Sequence, residues 1–203
     1  WRDAGSTSGS GGGLIRISAG TAVLDGAVRA DGRSGDIHCR TAGSGGGIRL
    51  DAGTVSGSGV LSADGGNGID YYGRGGSGGG GRIAVFYDAN NGFDLLQNVT
   101  AHGGGTGWAG PGAVGTVYLK QTGQEGQLRI DSHGTAVGAW TPLGEAAEPA
   151  FVTDHLVVRG AGVVAAPEHQ MPVRATNVSL LEGGMLTHRR TTPEQEYSLL
   201  LTV

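Results

Sequence analysis

The chain has almost no lysine. Lys120 is the only one among 14 Lys plus Arg residues, so arginine supplies the rest of the positive charge. Those 14 are outnumbered by 18 Asp plus Glu, giving a net charge of −4. That balance excludes the basic excess typical of a nucleic-acid binder. Cysteine is present once, at Cys39, so no internal disulfide and no CxxC zinc spacing can exist. There is no run of 18 apolar residues, so no segment has the length and character of a spanning helix. Proline occurs six times in 203 residues, and glycine does not fall at every third position, which excludes collagen. No leader segment is visible. The chain opens on Trp1-Arg2 rather than Met and is expected to be an excised piece of a longer protein.

What it has in excess is glycine, 43 of 203 residues, against an average near 7%. Glycine is too costly in helix interiors for a helical fold to carry so much of it. Yet 37% of residues are apolar, too many for simple disorder. An all-β chain rich in turns is the expectation.

The glycines are clustered: 38 lie in residues 1–138 and five in 139–203. In the first part the sequence repeats. Gly-Ser-Gly-Gly-Gly at 9–13 precedes Leu-Ile-Arg-Ile-Ser-Ala-Gly-Thr at 14–21, and the same run at 43–47 precedes Ile-Arg-Leu-Asp-Ala-Gly-Thr at 48–54. A third copy follows Gly76 with Arg-Ile-Ala-Val-Phe-Tyr at 82–87, and a looser fourth spans Gly115 to Leu119. Arg16, Arg49 and Arg82 recur with a constant step, and Asp31 and Asp64 share it. The period is about 33 residues, within the range of solenoid and other repeat folds. Each unit holds two runs of period-two alternation, the mark of half-buried strands. The second runs align Val28, Leu61, Val99 and Ile130, followed by Ala30, Ala63, Ala101 and Ser132. Like residues stacked on like residues are what a solenoid needs, because no unit can bury its apolar face alone. The Gly-rich segments at 32–47, 65–81 and 103–115 read as loops leaving one side of the stack, either packed on each other or loosely extended.

Residues 154–203 repeat with a shorter step. Leu156-Val157-Val158 is echoed by Val178-Ser179-Leu180 and again by Leu199-Leu200-Leu201. Val163 and Met185 mark the second runs. The step is about 22 residues and then about 21, a coil length that suits a parallel β-helix. Residues 139–153 read as a connecting excursion. No helix is expected, since 144–150 is short and flanked by prolines. Both ends lack a cap, so neighbouring coils of the parent protein, or copies of the chain itself, are the expected partners.

Stretches such as GSGGGIRLDAGTVSGSGVLSADGGNG, GSGGGGRIAVFY, NVSLLEGGMLTH and YSLLLTV resemble the glycine-rich repeats and β-helical stretches of very large bacterial surface and secreted proteins. The likeness covers roughly 9–134 and 154–203. It implies a right-handed parallel β-helix, an extracellular or cell-surface location, and a structural or adhesive role. It carries over no catalytic residues.

Several residues could do chemistry. Arg16, Arg49 and Arg82 would form one outward column able to grip carboxylates of an acidic glycan by bidentate bonds; a solvated face balanced by Asp51 is the plainer account. Tyr71, Tyr72 and Trp108 could stack on sugars or pack over loop glycines. A polysaccharide lyase or hydrolase on this scaffold would need two facing carboxyls. Asp31 and Asp64 occupy equivalent positions for that, although Asp before Gly is ordinary turn chemistry. Asp88, Asn90 and Asp94 faintly resemble a calcium loop but lack its spacing; otherwise no cofactor is expected. His38 beside Cys39 is poorly placed for a nucleophile pair, since neighbours on a strand face opposite ways. His102 and His133 fall at matching turns without a third ligand.

Overall fold

The computed structural model describes residues 9–37, 41–70, 75–105, 108 and 110–203. The fold is all-β, with strands in mostly parallel sheets and, among the described residues, no helix. The first seven strands are β1 (Leu14–Val23), β2 (Ala27–Arg29), β3 (Gly47–Ser56), β4 (Val60–Ser62), β5 (Arg82–Asn91), β6 (Val99–Thr100) and β7 (Thr116–Gln121). Strands β1, β3, β5 and β7 pair in parallel, with Leu14 opposite Gly47, Gly47 opposite Arg82, and Arg82 opposite Thr116. The steps along the chain are therefore 33, then 35, then 34.

Period-two alternation puts two columns on one face. Ile15, Ile48, Ile83 and Val117 form the first, and Ile17, Leu50, Val85 and Leu119 the second. Leu50 and Val85 are fully buried. Burying each such side chain stabilises by roughly 1.5–3 kcal/mol. The short strands β2, β4 and β6 form a three-stranded sheet that stacks Val28, Leu61 and Val99. Ala30, Ala63 and Ala101 follow, all buried. The column stops there. Ile130 and Ser132, expected as its fourth members, lie elsewhere.

Ile130 belongs to β8 (Gln127–Asp131), which pairs antiparallel with β7 in the large sheet. A tight turn at Gly123, φ 75°, reverses the chain. Tyr118 opposes Leu128, and Val117 opposes Arg129. Opposed residues share a face. Arg129 thus lands on the face of the first core, while Leu128 and Ile130 land on the other. Next come β9 (Thr141–Leu143), β10 (Phe151–Arg159), β11 (Val164–Pro167), β12 (Pro172–Leu181), β13 (Met185–Leu186) and β14 (Leu200–Thr202). Strands β8, β10, β12 and β14 continue the large sheet in parallel, so it runs β1-β3-β5-β7-β8-β10-β12-β14. Leu128, Leu156 and Val178 align, as do Ile130 and Val158. They pack with Leu143, Val163 and Ala165 into a second core, covered by the sheet β13-β11-β9. One sheet therefore carries two cores on opposite faces, and the changeover falls at the β7–β8 hairpin.

The step from Leu156 to Val178 is the expected 22. The next is 28, because Val173 pairs with Leu201; the expected step of about 21 is overturned by the longer connection through residues 187–199. Met185 pairs with Val164, one residue after Val163. Within 139–153, residues 141–143 are strand β9 and Phe151 already begins β10.

Where the structure describes them, the Gly-rich segments are packed, not loose. Outgoing and returning segments hydrogen-bond along the stack, as in Gly32 N–H to Asp64 O and Gly45 N–H to Gly79 O. They also bond to each other, as in Gly46 N–H to Ala30 O, Gly66 N–H to Gly43 O and Gly78 N–H to Gly66 O. The chains approach so closely that a Cβ on Gly45 would sit 2.0 Å from Ala63 O, and one on Gly80 1.9 Å from Ala101 O. Glycine is required here for close backbone approach.

Candidate functional site

The outer face of β1, β3, β5 and β7 forms a groove of about 730 Å³. Its floor is built of small residues. Gly47 lies between Leu14 and Arg82 in one column, and Ala84 lies between Arg49 and Tyr118 in the next. Thr141 and Pro142, from the start of the second core's covering sheet, form one wall. Buried Thr141 anchors that wall by donating its hydroxyl to Val114 O at 2.6 Å. The groove therefore exists because the chain changes faces at the hairpin and returns over the first half.

All three candidate arginines line it, but not as one column. Arg16 pairs in register with Arg49, whereas Arg82 faces Gly47 and Ala84 faces Arg49. Arg82 keeps the same face and is displaced by two residues along the strand, roughly 6.6 Å. The cause is the step of 35 between β3 and β5.

The arginines also differ in state. Arg49 donates from Nε to Asp51 Oδ2 and from Nη2 to Asp51 Oδ1, both at 2.8 Å. Its guanidinium lies 4.5 Å above the Phe86 ring, and Phe86 sits 5.8 Å from Tyr118. The bond to Arg49 holds the Asp51 carboxyl below its ordinary value, with the field of Arg16 the smallest contributor. The same pairing raises Arg49. Asp51 thus balances Arg49, as the plainer sequence reading expected for that residue. Arg16 and Arg82 are exposed and, among the described residues, make no ion pair or hydrogen bond through their side chains. Among the described residues, no Asp or Glu lines the groove.

The remaining candidates are dispersed. Tyr71, Tyr72, His38 and Cys39 lie outside the described residues. Trp108 is 67% exposed and away from the groove. Asp31 and Asp64 are not turn residues bonded to their own loops, as Asp-Gly chemistry had implied. Asp31 accepts from Asp64 N–H and the Ser62 hydroxyl. Asp64 accepts from His102 N–H and the Thr100 hydroxyl. They form a ladder from one unit to the next. Burial pushes the Asp64 carboxyl above its ordinary value, against the pull of His102. Asp88 accepts from the Thr122 hydroxyl, Asn90 from Phe93 N–H, and Asp94 from Leu96 and Gln97 N–H. Each of these side chains is thus engaged locally, and among the described residues no three acids, histidines or cysteines converge as a metal site. His102 and His133 do approach, with ring centroids 6.4 Å apart.

Sequence reasoning missed Phe86, Tyr118, Thr141 and Pro142. Phe86 and Tyr118 could have been found from strand parity, since they alternate with buried Val85, Val117 and Leu119. Nothing local to Thr141 and Pro142 signals the groove wall. No protein-family model, curated protein or solved structure matches the chain.

Proposed function

We propose that the chain is a structural or adhesive segment of an extracellular β-solenoid, a right-handed parallel β-helix of a surface or fibre protein. The observation that carries this reading is the register of the large sheet, in which each strand but β8 stacks in parallel on the equivalent strand before it. At the hairpin both strand direction and core side reverse. Together these amount to a half-turn about the stack axis, which keeps the hand of coiling. The glycine segments stiffen the first half, because their backbone groups bond both along and across the stack. Such a body transmits load through main-chain hydrogen bonds. The outermost strands, β1 and β14, carry exposed Leu14, Val23, Leu200 and Leu201, suited to covering by neighbouring coils or a second copy. The likeness to glycine-rich repeats of bacterial surface proteins supports the extracellular assignment.

Amide hydrogen exchange tests the stiffness. Residues 30–35, 43–47, 63–66 and 76–81 should be protected to the same degree as β3 and β5. Exchange at unstructured rates there would remove the rigid-segment reading. Incubation with acidic and neutral polysaccharides separates this reading from the enzyme alternative: polymer length should remain unchanged, and shortening would identify a polysaccharide-cleaving protein.

A further inference from the structure

We infer that the groove over β1, β3, β5 and β7 is a binding site for a carboxylated polysaccharide, a chain of uronic acid sugars. This rests on the adhesive reading above and names its ligand class. Three features converge. The first is charge: among the described residues, the guanidinium groups of Arg16 and Arg82 at the groove have no ion-pair partner and no carboxyl lines it, on a chain whose net charge is −4. From sheet spacings their Cα atoms stand roughly 12 Å apart, two strands across and two residues along. A polymer with repeated carboxylates can engage both guanidinium groups at once. Each guanidinium offers a planar fork that matches a carboxylate in two parallel bonds.

The second feature is the floor. Gly47, Ala84 and Thr116 leave a shallow bed between Leu14 on one side and Tyr118 with Pro142 on the other. The aromatic ring of Tyr118 offers an apolar surface for the C–H face of a sugar. Hydroxyls of Ser44 and Thr116 lie within the same lining and suit sugar hydroxyls. Arg49, fixed by Asp51 and Phe86, serves as a rigid divider between the two free arginines.

The third feature selects against an acidic peptide. The floor N–H groups are already spent: Gly46 donates to Ala30 O, Gly47 to Gly13 O, Gly81 to Ala63 O, Arg82 to Gly46 O and Thr116 to Gly81 O. The groove lies over a sheet face, so a peptide cannot add as a strand there. Recognition falls to side chains, which suits a ligand whose polar groups are carboxylates and hydroxyls.

The test is calorimetry of the full chain with polygalacturonate oligomers. The comparison ligands are the same oligomers with carboxyls reduced to alcohols, dextran sulfate and polyglutamate. Binding of polygalacturonate should weaken as salt rises, and at least about tenfold on carboxyl reduction or on Arg16→Ala or Arg82→Ala, each of which loses a charge-assisted bond. Arg16→Lys and Arg82→Lys should fall between parent and alanine, since charge remains and the fork is lost. No binding of polygalacturonate, or binding unchanged in the Arg16→Ala/Arg82→Ala double variant, would overturn the site. Equal binding of polyglutamate or dextran sulfate would overturn the ligand class. Both arginines are exposed, and unfolding curves verify that the variants stay folded. Hydrogen exchange uses the protein alone, so failure of the glycan experiment leaves the stiffness result standing.

Discussion

Val117 and Arg129 face each other across the antiparallel β7–β8 pair. An arginine thereby occupies the face that Ile15, Ile48, Ile83 and Val117 fill with hydrocarbon. Arg129 is nonetheless buried, and it is paired there with Asp131. The chain moves the core to the other face, where Leu128, Ile130, Leu156 and Val158 assemble. The groove wall at Thr141 and Pro142 follows from that reversal, whereas alternation within β1 and β5 exposes Arg16 and Arg82.

Substitutions in the glycine bundle should separate sharply by position. Gly45→Ala and Gly80→Ala each drive a methyl into backbone carbonyls at 2.0 and 1.9 Å. Backbone cannot rotate aside as a side chain can, so each should cost about 2–3 kcal/mol by overpacking. At Gly13 an added methyl would meet open space, with nothing within 4 Å. Gly13→Ala should therefore stay within about 0.5 kcal/mol of parent. Urea unfolding midpoints measure all three. Equal effects would mean that the segments are not packed backbone to backbone.

How much of this was legible before the fold was known follows from the same physics. Alternation in Leu14–Val23 and its copies establishes which residues face inward, because a side chain's face depends only on parity. A shift of two residues preserves parity, so the displacement of Arg82 from the Arg16–Arg49 column leaves no trace in the pattern. Val28, Leu61 and Val99 were readable as a column because each precedes its glycine, Gly32, Gly65 or Gly103, by four residues. Ile130 looked like the fourth member because Gln127–Asp131 alternates equally well in a parallel or an antiparallel partner. Only the geometry of the turn at Gly123 decides which. The groove depends on that decision, so Arg16, Arg49 and Arg82 could be nominated singly while Tyr118 and Pro142 could not be joined to them.

His133 should give the protein an acid-sensitive step. Burial lowers its imidazole below the ordinary value of 6.5, with Asp131 opposing and His102, Arg129 and Arg159 assisting. The unfolded chain therefore binds the proton more readily than the fold does. Stability from this site is complete above pH 6.5 and is lost as pH falls through the depressed folded value. His133 also holds a left-handed backbone, φ 48°, which asparagine tolerates. His133→Asn should flatten the decline of urea midpoint below pH 6.5 relative to parent. An unchanged slope would mean that protonation of His133 is not linked to folding.

The pair that marks the reversal should be costly to break and cheap to replace whole. Arg129 donates to Asp131 at 2.8 Å, and their side chains are only 10% and 5% exposed. Arg129 also donates to Gln127 Oε1, while Asp131 accepts from His133 N–H and lies 3.6 Å from Arg159. Removing the guanidinium by Arg129→Met leaves the buried carboxylate with Arg159 as its remaining ionic partner, at longer range. The expected loss is about 3 kcal/mol, the lower end for a broken buried pair. Arg129→Met with Asp131→Asn removes both charges and keeps an acceptor for His133 N–H. It should recover at least about half of that loss, giving a coupling above about 1 kcal/mol in the double-mutant cycle. Additive losses would instead mean that Arg129 stabilises the changeover through its packing rather than through Asp131.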